Sequence, residues 1–204
     1  RMRADLEEQR REIADESASR HKGLSRRIAG HQILAVADYF RGRVDTAHEL
    51  GRLLAEPSTR VVSIVGRPGI GKTALASKVL SELEHDRRPH TQDHIPVDGI
   101  VYLSTRTSNI TLEQILSECS LLLGGERGDA LSQVAANPKL SAADRADRLF
   151  EALRDGLYVI LLDHADDLLD SERRIGNSDL RTFFERSLVA NHSTRLLITS
   201  RDPL

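Results

Sequence analysis

Between residues 61 and 83 the chain passes from a β-branched run (Val61, Val62, Ile64, Val65) through Gly66-Arg-Pro-Gly-Ile-Gly-Lys72-Thr73. It then enters a stretch whose apolar residues, Ala74, Leu75, Val79, Leu80 and Leu83, recur at helical spacing. The middle segment satisfies G-x-x-x-x-G-K-[ST], and a strand before it with a helix after it is the context in which that pattern has a mechanism. Its glycines let successive backbone N–H groups turn inward as an anion-binding nest, at a helix N-terminus whose dipole also favours phosphate. Gly66, Arg67, Pro68, Gly69, Ile70, Gly71, Lys72, Thr73 and Ala74 are therefore the expected phosphate-binding residues, with Gly69 and Gly71 permitting the closest approach. Lys72 is expected to set its ammonium against the β and γ phosphates of ATP or ADP, and Thr73 to give its hydroxyl oxygen to Mg2+. The bland alternative is a glycine turn that happens to contain Lys-Thr.

The rest of the chain continues the alternation. Val44, Ala47, Leu50, Leu53 and Leu54 share one face of a helix predicted over Arg43 to Leu54, closed by Pro57. A second strand is expected at Ile100 to Leu103, a third at Tyr158 to Leu162 and a fourth at Arg195 to Thr199. Between them, Thr111 with Gln114 resembles a capping box for a helix that Gly124 and Gly125 can stop. Ser141 caps Ala142 to Arg154 with Gly156 as the stop, and Ser178 to Ala190 forms a last helix. Strands alternating with helices imply a parallel sheet covered on both faces, a three-layer α/β/α fold of the P-loop NTPase kind. Residues 39–204 are read as the nucleotide-binding domain. Residues 1–38 are read as a charged helical linker, in which Glu7 and Arg11, and Glu16 and Arg20, are paired at four-residue spacing.

The third strand is wholly apolar and ends in Asp163, the form of a Walker B motif, in which a rigid strand aims one carboxylate at the water shell of the metal. Asp166 and Asp167 lie just beyond; either could orient a water for attack, and both could equally cap the short helix that begins there. Thr199-Ser200-Arg201 places a hydroxyl pair and a guanidinium at the carboxyl edge of the sheet, where ligands of open parallel sheets sit. Arg201 is expected to sense the γ phosphate, because its planar fork matches phosphate geometry; a surface arginine capping a loop is the alternative. His164 has no Cys or His partner at ligand spacing and is read as a non-ligand. His85, His90 and His94 are read as solvated, and Cys119 as a small buried residue.

Composition removes several function classes. Charged residues make up 29% of the 204 residues, yet the formal net charge is -2, so no global positive field draws nucleic acid or an anionic membrane. Three Tyr, four Phe and no Trp leave few faces for stacking unpaired bases, and direct nucleic-acid binding is not expected. A single cysteine forms no internal disulfide and fits a reducing compartment. No apolar run approaches the ~20 residues of a spanning helix, so a cytoplasmic protein is expected, and one that continues beyond the given residues.

Four segments in one order, Tyr39-Phe-Arg-Gly-Arg43 with its helix, Gly66 to Thr73, Leu161 to Asp167, and Leu196 to Asp202, resemble the STAND-class signal-transduction ATPases, and among them NB-ARC domains. The resemblance spans Tyr39 to Leu204. It implies a sheet with the fourth strand between the first and third, which puts Arg201 beside Lys72 and Asp163. It also implies that Phe40, Arg41 and Arg43 lie against the nucleotide, with contacts to the adenine. The function implied is a regulated switch, ADP-held when closed and ATP-held when open, that self-associates on activation and drives an attached effector domain, with effector and sensor outside this segment. NB-ARC members often carry a second acidic residue where His164 stands, which points to slow hydrolysis. The spacing Asp163-His-Ala-Asp-Asp167 is closer to the related NACHT group. The competing expectations are a continuously hydrolysing motor-like or DNA-linked ATPase, a small-molecule P-loop kinase, and a scaffold that holds nucleotide for folding.

Overall fold

A computed structural model describes residues 28–30, 43–85 and 96–203. Five strands form one parallel sheet: β1 (Ile28–Gly30), β2 (Val61–Val65), β3 (Gly99–Ser104), β4 (Tyr158–Asp163) and β5 (Arg195–Ser200), in the spatial order β1-β3-β4-β5-β2. β5 therefore lies between β2 and β4, the order the resemblance implies. β3, β4 and β5 are buried along their whole length, which is why they read as unbroken apolar runs rather than alternating ones.

Alternate strand residues feed two separate cores. Val62, Ile100, Tyr102, Val159, Leu161 and Leu197 point to one face, under α1 (Val44–Ala55) and α2 (Lys72–Glu84). Val101, Leu103, Ile160, Leu162 and Leu196 point to the other, under α3 (Leu112–Leu123), α4 (Gly125–Ala136), α5 (Ala142–Ala152) and α6 (Ser178–Val189). Period-two alternation in parallel strands is what sorts these residues into two layers. Cys119 is a fully buried member of the second core.

The helix boundaries follow local chemistry. The Thr111 hydroxyl accepts from Gln114 N at 3.2 Å, and Ser141 with Asp144 completes a reciprocal capping box. Gly124, at φ 59°, ends α3 as expected, but α4 starts at once, an element with no strong periodicity of its own. Only Gly128 and Leu131 of α4 are buried. A Cβ on Gly128 would stand 2.4 Å from Ser120 O, so the glycine lets α4 lie directly on α3. Tertiary contact, rather than propensity, makes that helix.

The reading of residues 1–38 as helical is corrected at Ile28–Gly30, which form an edge strand beside Ile100 to Tyr102; their order comes from pairing with β3, which no local pattern announces. The remainder of that extension, together with Phe40, Arg41, His90 and His94, lies outside the described residues.

Candidate functional site

The loop between β2 and α2 turns on Gly69 (φ 78°) and Gly71 (φ 90°), left-handed conformations that side-chain-bearing residues adopt at a cost. Gly66 N donates to Ser200 O at 3.2 Å, tying the start of the loop to β5. Lys72 folds back over it, its Nζ donating to Gly66 O at 2.7 Å and to Arg67 O at 3.3 Å. The ammonium thus hangs over the cradle where a phosphate tail would lie, while Arg67 to Ile70 are exposed.

Asp163, 1% exposed at the carboxyl end of β4, is the hub. Thr73 Oγ1, from the first turn of α2, lies 2.9 Å from Asp163 Oδ1 and 3.1 Å from Oδ2. Thr199 Oγ1, from β5, donates to Oδ1, and Tyr102 OH, from β3, donates to Oδ2 at 3.2 Å. His164 Nδ1 is 2.9 Å from Oδ2. Buried carboxylates are tolerated only with such partners. Three adjacent strands send Tyr102, Asp163 and Thr199 to the same face because each lies an even number of residues from a neighbour in the core beneath α2, namely Ile100, Leu161 and Leu197. Burial, and next the charge of Asp163, pushes the Tyr102 phenol well above its ordinary pKa, so it remains a donor.

His164 occupies the left-handed region at φ 59°, unusual for a residue other than glycine. Its N–H donates to Thr199 Oγ1 at 3.0 Å and its carbonyl accepts from Thr105 Oγ1 at 2.9 Å, contacts that hold a conformation costing about 1–3 kcal/mol. This sharp bend directs the following 3-10 turn, Ala165–Leu168, across the strand ends. There Asp166 Oδ2 lies 3.0 Å from Arg201 Nε, with Arg201 N donating to Asp166 Oδ1 at 3.3 Å, and Asp167 Oδ2 lies 2.8 Å from Thr105 Oγ1, whose one proton it shares with His164 O.

The sequence-selected residues thus divide into three sets. Lys72, Thr73 and Asp163 converge. Asp166 and Arg201 meet each other at the same sheet edge, with Asp167 alongside on Thr105. Arg43 starts α1, its carbonyl accepting from Ala47 N at 2.9 Å. Sequence reasoning passed over Tyr102 as a site residue, since it reads as one more apolar strand position, and noted Thr199 only as half of a hydroxyl pair. Only the register of β3 and β5 against β4 reveals both.

The donor set suits magnesium. Mg2+ takes oxygen ligands, commonly one or two carboxylates completed by phosphates and water, and a threonine hydroxyl against one buried aspartate is that chemistry. Among the described residues no group of three His, Cys, Asp or Glu side chains could form an all-protein metal cage. No helix among them is long and apolar enough to cross a membrane.

Comparison with known proteins gives the same region. The profile described as "AAA ATPase domain" matches residues 39–187. An uncharacterised WD repeat-containing protein of Nostoc sp. is 25% identical over 168 residues, covering 80% of this chain and 13% of its own length. The ORC1 protein of Aeropyrum pernix, solved in complex with DNA, superposes with a TM-score of 0.50 at 25% identity, over 84% of this chain and 42% of that one. Cdc6p from Pyrobaculum aerophilum gives a TM-score of 0.47 at 22% identity, over 83% of this chain and 41% of that one. The chain thus spans less than half of these relatives. The expectation that nucleic acid is not bound directly finds no support in these comparisons, since the ORC1 protein was solved in complex with DNA.

Proposed function

Since this chain belongs to the AAA ATPase domain family, we propose that its loop from Gly66 to Thr73 holds ATP or ADP with Mg2+, and that the nucleotide acts as the switch of a STAND-type, NB-ARC-like signalling protein. The observation that carries the reading is the meeting of Thr73 with the buried Asp163 at 2.9 Å, directly beneath the loop over which Lys72 is folded. Lys72 would neutralise the β and γ phosphates. Thr73 would give a lone pair to the metal while its O–H stays donated to the Asp163 carboxylate, and Asp163 would hold metal-bound water. Bound magnesium supplies charge neutralisation on the phosphate oxygens. Arg201, at the end of the strand between those carrying the loop and Asp163, would report the γ phosphate, with Asp166 and Asp167 positioned to orient water. Phe40, Arg41 and Arg43 would face the adenine side.

A switch fits the His164 substitution behind the metal carboxylate, where a strong general base would speed turnover. It also fits the much longer repeat-bearing relative, in which a similar segment is a small part of a chain with other modules. Self-association and an attached effector belong to this reading. Driving such a switch from about 1:99 to 99:1 requires ~5.5 kcal/mol of difference between states, for which γ-phosphate contacts by Lys72 and Arg201 are the natural source. The ORC1 likeness favours a second reading, a DNA-linked ATPase that turns over continuously.

Denaturing the purified protein, identifying released nucleotide and measuring turnover separates the two. Stoichiometric ADP with turnover below about one per minute, the regime of unassisted P-loop switches, supports the switch. Empty protein with brisk, DNA-stimulated hydrolysis supports the second reading and overturns the first.

A further inference from the structure

The metal carboxylate is oriented by three strands at once, and one of its donors has no counterpart in the phosphate-loop pattern. Tyr102 sits on β3 opposite Leu161, one pleat step before the Ser104–Asp163 pair, so its side chain lies on the same face as Asp163 and spans the distance to it with the length of the ring. The ring is 4% exposed and packs in the core beneath α2, leaving the phenol little freedom to choose another position. Its hydroxyl donates to Oδ2 at 3.2 Å, while Thr199 donates to Oδ1 from the strand on the opposite side of β4. An aspartate carboxylate turns about a broad two-fold torsion and is set by whatever bonds it receives.

We infer that Tyr102 is a positioning residue for the metal site: with Thr199 it clamps the Asp163 carboxylate from both flanking strands, so that the carboxylate faces Thr73 and the magnesium that Thr73 would bind. Tyr102 would act on the metal through Asp163, to which its hydroxyl donates, rather than as a ligand. The inference rests on the nucleotide reading above. Its chemical content is separate: Tyr102 tunes the demand for divalent metal and leaves metal-free nucleotide binding alone. Donors to a direct metal ligand characteristically shift metal affinity by about 10- to 100-fold, and Tyr102 stands one layer further out because Asp163 would reach the metal through water. A single 3.2 Å neutral donor with Thr199 intact belongs at or below the lower end.

The test is Tyr102→Phe, which removes one oxygen and keeps the ring in its core. Tyr158→Phe is the matched control, since Tyr158 is equally buried at the amino end of β4, away from Asp163. Binding of a fluorescent ATP analogue with a non-hydrolysable β–γ bridge is followed while MgCl2 is titrated, alongside melting curves without nucleotide. For Tyr102→Phe the Mg2+ midpoint is expected to rise about 3- to 10-fold, with analogue affinity in EDTA unchanged. Tyr158→Phe should leave the midpoint in place whatever it does to the melting temperature. An unmoved midpoint in Tyr102→Phe, with the unsubstituted protein showing Mg2+-dependent binding, overturns the inference and spares the nucleotide reading. Equal shifts in both variants overturn it as well, by assigning the effect to general packing. If the unsubstituted protein binds no analogue at any Mg2+ concentration, the nucleotide reading fails and carries the inference with it.

Discussion

The two ends of the sheet bury polar groups in opposite ways. At the amino end, Asp98 is bound by the main chain: Leu157 N donates to its Oδ2 at 2.8 Å, and Asp98 N donates to Leu157 O at 2.8 Å. Nearby strand starts follow the same rule. Arg195 donates to Leu54 O and Ser193 O, and His192 is held between Ser187 O and Thr194 N. At the carboxyl end, Asp163 is bound by side chains: Thr73, Thr199, Tyr102 and His164. Main-chain partners cannot move without unfolding a segment, whereas hydroxyls can rotate and share their protons with a ligand. One end is fastened for stability and the other arranged for exchange.

The most severe test of that contrast lies at the carboxyl end. Lys72→Ala should lose retained nucleotide by about 100-fold or more, as expected when a buried charge pair loses one member, while the melting temperature of nucleotide-free protein barely changes. Asp163→Ala should mainly abolish the magnesium dependence of binding. If the Lys72 variant kept its full nucleotide content, the site assignment would be wrong. At the amino end the expected pattern is reversed. Asp98→Ala strands the Leu157 N–H in the interior and should cost about 3 kcal/mol of unfolding free energy in a denaturant titration. Nucleotide affinity per folded molecule should be unchanged. A large affinity loss there would erase the distinction between the two ends.

How far each end could be read from sequence follows from the same difference. The phosphate loop and the apolar strand ending in Asp163 were legible because each is a local pattern with one mechanical meaning, whereas the place of β5 between β2 and β4 came only from the family resemblance. Asp98, His192 and Tyr102 were not legible. Tyr102 and Asp98 take their roles from pairing between segments distant in sequence, such as Tyr102 opposite Leu161, which no spacing along the chain encodes, and His192 takes its from the loop before β5 that stacks it on Phe150. Helix α4 and strand β1 escaped for a related reason, since each is ordered by the neighbour it lies on rather than by its own periodicity. The Asp166–Arg201 pair was visible only as two residues at the same sheet edge, and its hydrogen-bond geometry depends on the left-handed bend at His164.

At the amino end a smaller effect than that of Asp98→Ala belongs to His192, and its sign is fixed by how the ring is bonded. His192 stacks on Phe150 with centroids 4.2 Å apart, is 3% exposed, and lies with Nε2 3.0 Å from Ser187 O and Nδ1 accepting from Thr194 N at 3.1 Å. Nε2 is then the protonated nitrogen, and a second proton on Nδ1 would displace the Thr194 bond. Burial first, then the charge of Arg60, lowers its pKa to about 4 from an ordinary 6.5. A histidine kept neutral by folding contributes full stability above the unfolded value, and stability falls as the unfolded chain takes up its proton between pH 6.5 and pH 4. Between about pH 7.5 and about pH 5 the loss should be about 2 kcal/mol. The carboxyls of Asp144 and Asp170, held below the usual range chiefly by bonds from the Ser141 side chain and the Arg174 backbone, stay charged throughout that interval and add nothing to the slope. His192→Gln should flatten the dependence whatever it does to stability at neutral pH. If the unsubstituted protein were equally stable at both pH values, its imidazole would have to be protonated or open to water when folded, and the amino end would lose its standing as the fastened one.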